Sequence, residues 1–361
     1  MAANLQDQQR NQLRLAAQKA LGASIVAILL LVMLTFGAQA EDETRFLRIG
    51  TGSPGGTYFP IGNVIAEALS GPLDDAECAG DEPCGIPGLM AVARASFGAV
   101  ENLANIRAGL VETGFVQSDL AYWATHGKAL YAEDGPMTEF RAIASLYPEV
   151  LHIVVPADSD IQSPADLRDK RVSLGPKGSG TLIDAKLVLD IYELSQEDIR
   201  ARYQTFEGAA ESLKAGDIDA FFAIGGVPIP AIASLAEVFP IRVLALEDWA
   251  ITNLTDGHPF FSREPVDMGP YGLAEIDAVA VQALWLTTER MPDDIVYEIT
   301  RALWQDSTRQ ALAEAHPTGA QLAESGSAQC LAIPLHDGAK RYYRENGGLC
   351  TNARRDDQVT N

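Results

Sequence analysis

The feature that most constrains the fold is a unit that occurs twice: a short apolar strand, a glycine-rich loop and an apolar-periodic helix. The first copy reads "FLRIGTGSPGGTYFPIGNVIAEAL" from residue 46, and the second reads "RVSLGPKGSGTLIDAKLVLDIY" from residue 171. Strands and helices also alternate along the rest of the chain, which predicts parallel, doubly wound α/β sheets. Because the unit starts again after residue 170, we expect two α/β lobes.

Two β-rich passages predict where the chain crosses between these lobes. Residues 140–156, "FRAIASLYPEVLHIVVP", would carry the chain out of the first lobe, and residues 275–284 would bring it back. The first lobe is then predicted to comprise residues 41–155 with 273–361, and the second residues 156–272. A chain of 361 residues with 47% apolar content is long enough to bury two such cores.

Both glycine-rich loops have the composition of an anion-binding site. A glycine-rich turn that leads into a helix presents free backbone N–H groups at the positive end of the helix dipole. Each loop also carries Ser and Thr hydroxyls that can donate hydrogen bonds. The plainer alternative is that the glycines only form tight turns between strand and helix. Two such loops on facing lobes favour a ligand cleft.

The first loop also fits G-x-G-x-x-G, the dinucleotide fingerprint, but the fit is poor. Pro54 occupies a variable position, and residues 70–75 offer no strand that ends in an acidic residue for the ribose contact. In the second loop Lys177 precedes Gly178, so the Gly-Lys-Ser/Thr order of a P-loop is missing. We therefore predict no nucleotide and no other cofactor.

Residues 1–40 have the pattern of an export signal. Three basic residues lead into an uncharged run of 19 residues from Ala20 to Ala38, and the run continues into the small-residue sequence "AQA". We predict cleavage after Ala40 and a periplasmic mature protein. The alternative is a retained membrane anchor, as in a sensory or adhesion protein, because such a run nearly spans a bilayer.

The charge of the chain argues against polyanionic partners. The full chain has a formal net charge of −22, and removal of residues 1–40, with three basic side chains and one acidic, leaves about −24. A surface of this sign repels nucleic acid and anionic membranes at long range. Screening limits that repulsion to about 8 Å at physiological salt, so neutral donors in a cleft can still hold a small anion.

All four cysteines lie after the export signal, in two local pairs. Cys78 is close in sequence to Cys84, and Cys330 to Cys350. In an oxidising compartment this arrangement predicts two disulfides. Zinc is the competing interpretation, but neither pair has C-x2-C spacing or a nearby His-x3-His sequence, so no metal site is predicted.

The sequence carries no recognisable catalytic constellation. There is no G-x-S-x-G sequence, and the five histidines are isolated, without H-E-x-x-H or a His/Cys cluster. The interpretation is therefore a binding protein and not an enzyme. The alternative is an exported enzyme on a similar two-lobed scaffold that acts on a small anion, which would need an acid–base pair or a nucleophile in the cleft.

Eight segments, in order, cover roughly residues 46 to 348 and resemble the TAXI family, the extracytoplasmic solute-binding subunits of TRAP (tripartite ATP-independent periplasmic) transporters. The segments are "RIGTGSPGGTYFPIGNVIAEAL", "GAVENLANIRAG", "GFVQSDLAYWATHG", "ASLYPEVLHIVV", "RVSLGPKGSGT", "GDIDAFFAIGGVPIPAI", "EIDAVAVQALWLTT" and "HDGAKRYYREN". Two positions depart from the family pattern: Ala99 stands where members often have Ser, and Pro54 where a small residue is commoner.

The resemblance implies a fold like that of type II periplasmic binding proteins, in which two α/β lobes close about a hinge over one small ligand. It also implies a monomeric receptor that captures a small carboxylate, such as glutamate, glutamine or the dicarboxylate 2-oxoglutarate, and delivers it to the membrane permease of a TRAP transporter. The residues that it places at the ligand are Gly52, Ser53, Gly55, Gly56, Thr57, Tyr58, Gln117, Ser118, Ser179, Gly180 and Thr181.

The sequence leaves the charge of the ligand open. Glu149, in the hinge-like "YPE", could pair with an ammonium group, which would favour an amino acid; the alternative is a hinge acid that bonds to backbone or solvent. Arg94 and Lys177 are candidate partners for a second carboxylate. We expect a dicarboxylate or an acidic or amidic amino acid, with Tyr58 as the aromatic residue over it.

Overall fold

The computed structural model describes residues 44–71, 85–325 and 331–348. The predicted export signal and the four cysteines, Cys78, Cys84, Cys330 and Cys350, lie outside the described residues. Signal cleavage and the two disulfides therefore stay predictions.

The described chain contains ten strands and eleven α-helices; strands and helices alternate over much of its length, and four helices follow the last strand. The strands are β1 (Arg45–Gly50), β2 (Leu89–Arg94), β3 (Thr113–Gln117), β4 (Phe140–Pro156), β5 (Arg171–Ser173), β6 (Arg200–Arg202), β7 (Ala220–Gly225), β8 (Ile241–Val243), β9 (Phe261–Val266) and β10 (Ile276–Thr288). The helices are α1 (Tyr58–Leu69), α2 (Ala99–Arg107), α3 (Ser118–His126), α4 (Gly180–Ile191), α5 (Phe206–Lys214), α6 (Pro230–Val238), α7 (Asp248–Gly257), α8 (Asp293–Leu303), α9 (Asp306–Ala315), α10 (Pro317–Ser325) and α11 (Asp337–Glu345).

The strands form one sheet in the order β2-β1-β3-β10-β4-β7-β5-β6, with β8 beside β4 and β9 beside β10. The strands are parallel at each end of this order, where β1 pairs with β2 and β3, and β5 pairs with β6 and β7. In the middle, β4 and β10 are antiparallel to each other and to their neighbours. The two predicted crossing passages are thus the two long strands that join the halves of the molecule.

Each half of the sheet is covered on both faces. Along β10, Trp285 packs in the core under α1 and α8, while its neighbours Leu284 and Leu286 pack in the core under α2 and α3. Along β7, Phe222 and Phe221 divide in the same way between two further cores. Successive side chains of a strand point to opposite faces, so this alternation requires helices on both sides. The predicted two-lobed α/β fold is confirmed.

The limits of the two lobes, at residues 155 and 273, stay a prediction. In the described part of the chain, no helix combines the length and the apolar character needed to cross a bilayer.

A buried histidine lies on β4, close to the crossing between the halves. His152 is fully buried, and its Nδ1 lies 2.8 Å from the carbonyl oxygen of Val150. Its Nε2 lies 3.2 Å from the hydroxyl of Tyr271, which accepts a hydrogen bond from the backbone N–H of Ile229. This network fits a neutral ring that donates from Nδ1 and accepts at Nε2.

We expect this histidine to weaken the fold at acid pH. Burial lowers the pKa of His152 to about 4. As the pH falls from about 6.5 towards 4, the unfolded chain binds a proton that the folded chain does not, so the free energy of unfolding decreases by about 2 to 3 kcal/mol. Buried carboxyls with raised pKa values act in the opposite direction, so the comparison must be made against a variant.

Denaturant unfolding of the wild type and of His152→Gln at pH 7.5 and 4.5 measures this contribution. The wild type should lose about 2 to 3 kcal/mol more than H152Q over this range. His126→Gln, at a half-buried histidine on α3, is the matched control and should follow the wild type. Equal losses in the wild type and H152Q would contradict the assignment.

Candidate functional site

A small cavity of about 40 Å³ lies where the two glycine-rich loops meet. Its wall is supplied by both halves of the molecule, from loops at the carboxyl ends of strands. The lining residues are Gly52, Ser53, Gly56, Thr57, Tyr58, Phe97, Gly98, Ala99, Gln117, Glu149, Pro176, Ser179, Gly180, Thr181, Phe206 and Ile224.

Five helices begin at this cavity. Tyr58, Ala99, Gly180 and Phe206 are the first residues of α1, α2, α4 and α5, and Gln117 is the N-cap of α3. The first turn of a helix has backbone N–H groups without intrahelical partners and carries the positive end of the helix dipole. Five such ends at one place form an environment that stabilises a small anion.

The first loop is shaped by a tight turn. The N–H of Gly56 donates to the carbonyl of Ser53 at 2.9 Å, and the hydroxyl of Thr51 donates to the carbonyl of Arg94 at 2.8 Å. A Cβ on Gly52 would lie 3.4 Å from the Cβ of Tyr58. The loop therefore brings its backbone close to the start of α1, as expected for a strand–loop–helix unit.

The second loop uses its serine to hold the helix. Gly175 and Gly178 have φ angles of +88° and +91°, in the region that favours glycine. The hydroxyl of Ser179 donates to the carbonyl of Pro176 at 2.7 Å and accepts from the N–H of Leu182 at 3.1 Å. Ser179 is therefore the N-cap of α4 and fixes the direction in which this helix meets the cavity.

Asn102 holds the start of the first loop through hydrogen bonds to backbone carbonyls, a role that the sequence reasoning missed. Its side chain is fully buried on α2, and its Nδ2 donates to the carbonyls of Thr51 at 2.7 Å and Phe115 at 2.8 Å. The hydroxyl of Ser96 lies 2.8 Å from its Oδ1. One amide thus ties together the ends of β1, β2 and β3. The segment "GAVENL", which contains Asn102, was noted in the sequence, but nothing in the sequence indicated the contacts that Asn102 makes.

Hydrogen bonds join the two sides of the cleft. The hydroxyl of Thr57 donates to the carbonyl of Gly226 at 3.1 Å, and Nε2 of Gln117 donates to Oδ2 of Asp184 at 2.7 Å. Three backbone groups also take part: the N–H of Gly55 donates to Glu207, that of Ala231 to the carbonyl of Gly55, and that of Glu101 to the carbonyl of Gly178. The cleft is therefore in a closed arrangement.

Among the described residues of the cavity wall, Glu149 is the one with a carboxyl group. It is 3% exposed, and its Oε2 accepts a hydrogen bond of 2.7 Å from the hydroxyl of Tyr58. Its other oxygen, Oε1, accepts no hydrogen bond from any residue that the structure describes. Burial raises the pKa of Glu149 well above its ordinary value, and the negative charge of Asp119 raises it further.

Two more buried carboxyls meet behind Gln117, one from each side of the cleft. Asp119 on α3 and Asp184 on α4 are both buried and lie close enough for each to shift the pKa of the other. Neither oxygen of Asp119 has a hydrogen-bond partner among the described residues, and neither does Oδ1 of Asp184. Burial raises the pKa of Asp119 to about 6, and burial together with the negative charge of Asp119 raises the pKa of Asp184 well above its ordinary value. A proton on either acid relieves the repulsion between the two.

The cavity wall contains the predicted ligand-binding residues except two. Gly55 contacts Glu207 across the cleft, and Ser118 lies buried at the start of α3 without reaching the wall. Neither basic candidate for a second carboxylate lies in the wall: Arg94 is exposed, and the ammonium of Lys177 lies 5.3 Å from the ring centre of Tyr203.

The wall also contains residues that the sequence reasoning did not single out for the ligand. These are Phe97, Gly98, Ala99, Pro176, Phe206 and Ile224. Gly98 and Ala99 open the segment "GAVENLANIRAG" that resembles the TAXI family, which was a usable signal. The helix that begins at Phe206 was not predicted, because "FEGAAESLK" has a short and interrupted apolar stripe.

Comparisons with known proteins give a family and several distant structural likenesses. The profile of a family described as "NMT1-like family" matches residues 49–347. Among solved structures, the chain is similar to the alkanesulfonate-binding protein SsuA from Xanthomonas axonopodis pv. citri bound to MOPS, with 18% identity, a TM-score of 0.45 and 83% of each chain covered.

Two further structural likenesses have similar values. The periplasmic aliphatic sulphonate binding protein SsuA from Escherichia coli has 17% identity and a TM-score of 0.42, over 83% of this chain and 87% of that chain. The GluR0 ligand binding core in complex with L-glutamate has 11% identity and a TM-score of 0.43, over 77% of this chain and 98% of that chain.

Proposed function

This chain belongs to the NMT1-like family, and we propose that it is a solute-binding receptor that captures a small organic carboxylate in its closed cleft. The observation that carries the proposal is the meeting of five helix N-termini at one cavity, in a wall whose described residues include no Arg, Lys or His. Backbone N–H groups and helix dipoles can hold a carboxylate there without a basic side chain.

Capture is a hinge closure. The cross-cleft hydrogen bonds of Thr57 and Gln117 exist in the closed arrangement, and a ligand that touches both halves binds that arrangement better than an open one. The long strands β4 and β10 join the two halves and are the natural place for the hinge.

The finer assignment rests on the sequence. We propose that the receptor is of the TAXI subtype, works in the periplasm as a monomer and passes its ligand to a TRAP permease. The eight segments that resemble the TAXI family, together with the export-signal pattern of residues 1–40, support this assignment.

The competing function is an exported enzyme, and the buried carboxyls Asp119, Asp184 and Glu149 are the feature that would favour it. Catalytic acids and bases often have perturbed pKa values. In the described part of the cavity wall, however, no Ser or Thr hydroxyl is hydrogen-bonded to a histidine. We therefore assign the carboxyls to ligand recognition and closure.

A thermal-shift screen tests the function. The protein, purified from the periplasm and refolded to remove bound ligand, is heated with monocarboxylates, C4 dicarboxylates, 2-oxoglutarate, glutamate, glutamine, neutral amino acids and NAD. A ligand at 100 times its dissociation constant adds about 2.7 kcal/mol to the free energy of unfolding, which raises the Tm by several degrees. A response to one small carboxylate class supports the receptor, whereas a response to NAD alone contradicts it.

A further inference from the structure

Three buried acids lie in the wall of the cavity or behind it. Glu149 lines the cavity, and Asp119 and Asp184 lie buried behind Gln117. Among the described residues, no basic side chain lines the cavity, and the two basic candidates from the sequence, Arg94 and Lys177, are exposed. A ligand with two carboxylates would bring its second negative charge into a buried site whose described wall has no cation to balance it.

A second small cavity lies beyond Glu149 and offers no partner for an anion either. It has a volume of about 10 Å³ and shares Glu149 and Ile224 with the first cavity. The rest of its wall is apolar apart from Asp184: Leu151, Leu187, Val188, Leu254, Phe261, Val279, Ala280 and Val281. The uncharged part of a ligand would be stabilised on this side, where apolar walls exclude water.

Glu149 offers a cationic group a carboxylate oxygen that can accept hydrogen bonds. Its Oε1 has no hydrogen-bond donor among the described residues, while Tyr58 orients the carboxyl through Oε2 at 2.7 Å. An ammonium group has three donors and no acceptor, so it can fill the free position without displacing Tyr58. The helix N-termini at the same cavity remain available for one carboxylate.

We propose that the ligand is a zwitterion, an α-amino acid with an apolar side chain, whose carboxylate lies at the helix N-termini and whose ammonium is bound by Glu149. This inference rests on the proposed receptor function and narrows it. It excludes 2-oxoglutarate, C4 dicarboxylates and glutamate as the preferred ligands, which the sequence alone had left open.

Binding of a zwitterion should release a proton. Because burial raises the pKa of Glu149, the free site favours its protonated form, and an arriving ammonium favours the carboxylate. The groups that face Glu149 are the hydroxyls of Tyr58 and Tyr147 and the acids Asp119 and Asp184, which supply no positive charge. A dianion at the same cavity would instead keep these groups protonated.

Isothermal titration calorimetry on the refolded protein tests the proposal. The probes are L-alanine, L-valine and L-leucine, with 4-methylvalerate as the analogue of leucine that lacks the ammonium, and with glutamate and 2-oxoglutarate. We expect at least one of the three amino acids to bind, and the analogue, glutamate and 2-oxoglutarate to bind at least 100-fold more weakly. Titration in two buffers of different ionisation enthalpy should show proton release.

Glu149→Gln separates recognition from folding. E149Q should weaken amino acid binding at least 100-fold, abolish the proton release and leave the weak binding of 4-methylvalerate within threefold. The matched control is Glu211→Gln, at an exposed carboxylate on α5 that pairs with Lys214, and it should bind like the wild type.

The outcomes separate this inference from the function on which it rests. Equal or tighter binding of 2-oxoglutarate or 4-methylvalerate by the wild type overturns the zwitterion and leaves the carboxylate receptor standing. Equal losses of the amino acid and of 4-methylvalerate in E149Q show that Glu149 acts only on the structure, and overturn its assignment. Failure of every carboxylate and amino acid to bind overturns both proposals.

Discussion

Replacing Gly180 with alanine is expected to weaken ligand capture at least 100-fold while both lobes stay folded. Gly180 is the first residue of α4, and a Cβ there would lie 1.4 Å from Oε1 of Gln117 and 2.9 Å from Cδ1 of Leu120. Both of these atoms belong to the opposite side of the cleft. The added methyl group therefore obstructs closure and does not disturb the core of either half.

The size of the effect follows from what must move. Gln117 is 3% exposed and donates to Asp184 at 2.7 Å. If the amide of Gln117 moves away from the added methyl group, this hydrogen bond is broken. Overpacking costs about 1 to 3 kcal/mol, and a lost hydrogen bond at a buried carboxyl costs about 1.5 to 3 kcal/mol. Together they correspond to a loss of about two to four powers of ten in affinity.

Calorimetry with the wild-type ligand measures the affinity of G180A, and denaturant unfolding without ligand measures its free energy of unfolding. The open arrangement relieves the clash, so G180A should unfold within about 1 kcal/mol of the wild type. The matched control is Gly208→Ala in the first turn of α5, where a Cβ meets Thr205 Oγ1 at an ordinary 3.5 Å. Wild-type affinity in G180A would mean that ligand binding does not need this closed arrangement.

Local patterns in the sequence were sufficient to predict the strands and helices whose ends line the cavity. The strand-to-helix junctions of both predicted units are found: β1 and α1 lie in the unit that starts at residue 46, and β5 and α4 in the unit that starts at residue 171. These predictions succeed because apolar periodicity and glycine positions act over a few residues. The wall of the cavity is built largely from these junctions.

The electrostatics of the site could not be predicted in the same way. Asp119 and Asp184 are 65 positions apart in sequence, on helices that belong to opposite sides of the cleft. Each acid taken alone looks like an ordinary residue at the start of a helix, where acids are common. Their burial, their raised pKa values and the exclusion of Lys177 from the wall depend on how α3 and α4 pack, and no local pattern encodes that packing.

The region around α5 was missed for a different reason. Phe206 opens a helix of nine residues whose first turn contains Glu207 and Gly208. Gly lowers helix propensity, and the apolar positions are too few to predict a helix from periodicity. The helix is held instead by its N-cap, because the hydroxyl of Thr205 accepts from the N–H of Gly208 at 3.3 Å.

The substitution with the largest expected effect on stability is Asn102→Asp. Both hydrogen bonds from Nδ2 go to carbonyl oxygens, those of Thr51 at 2.7 Å and Phe115 at 2.8 Å. An aspartate is close to isosteric, but when ionised it has no donor, so an oxygen would face two carbonyl oxygens in a fully buried site. Each buried acceptor left without its donor costs about 1 to 3 kcal/mol, and burial of the charge adds to this.

We expect N102D to lower the free energy of unfolding by about 4 kcal/mol at pH 7.5, measured by denaturant unfolding. The variant should recover part of this loss as the pH falls to 5, because burial raises the pKa of the introduced carboxyl and the protonated acid can donate one of the two hydrogen bonds. The matched control is Asn105→Asp, on the same helix at a half-buried position, and it should cost within about 1 kcal/mol.

This comparison also tests how the first loop is held. The carbonyl of Thr51 belongs to the segment that leads into the loop, and that of Phe115 belongs to β3, two residues before Gln117. If Asn102 fixes both carbonyls, the N-termini of α1 and α3 move apart in N102D. The ligand affinity of N102D should then fall further than that of a different core variant with the same loss in the free energy of unfolding. If N102D proves as stable as N105D, the loop is held by the turn at Gly56 and by Thr51, and the amide of Asn102 is dispensable.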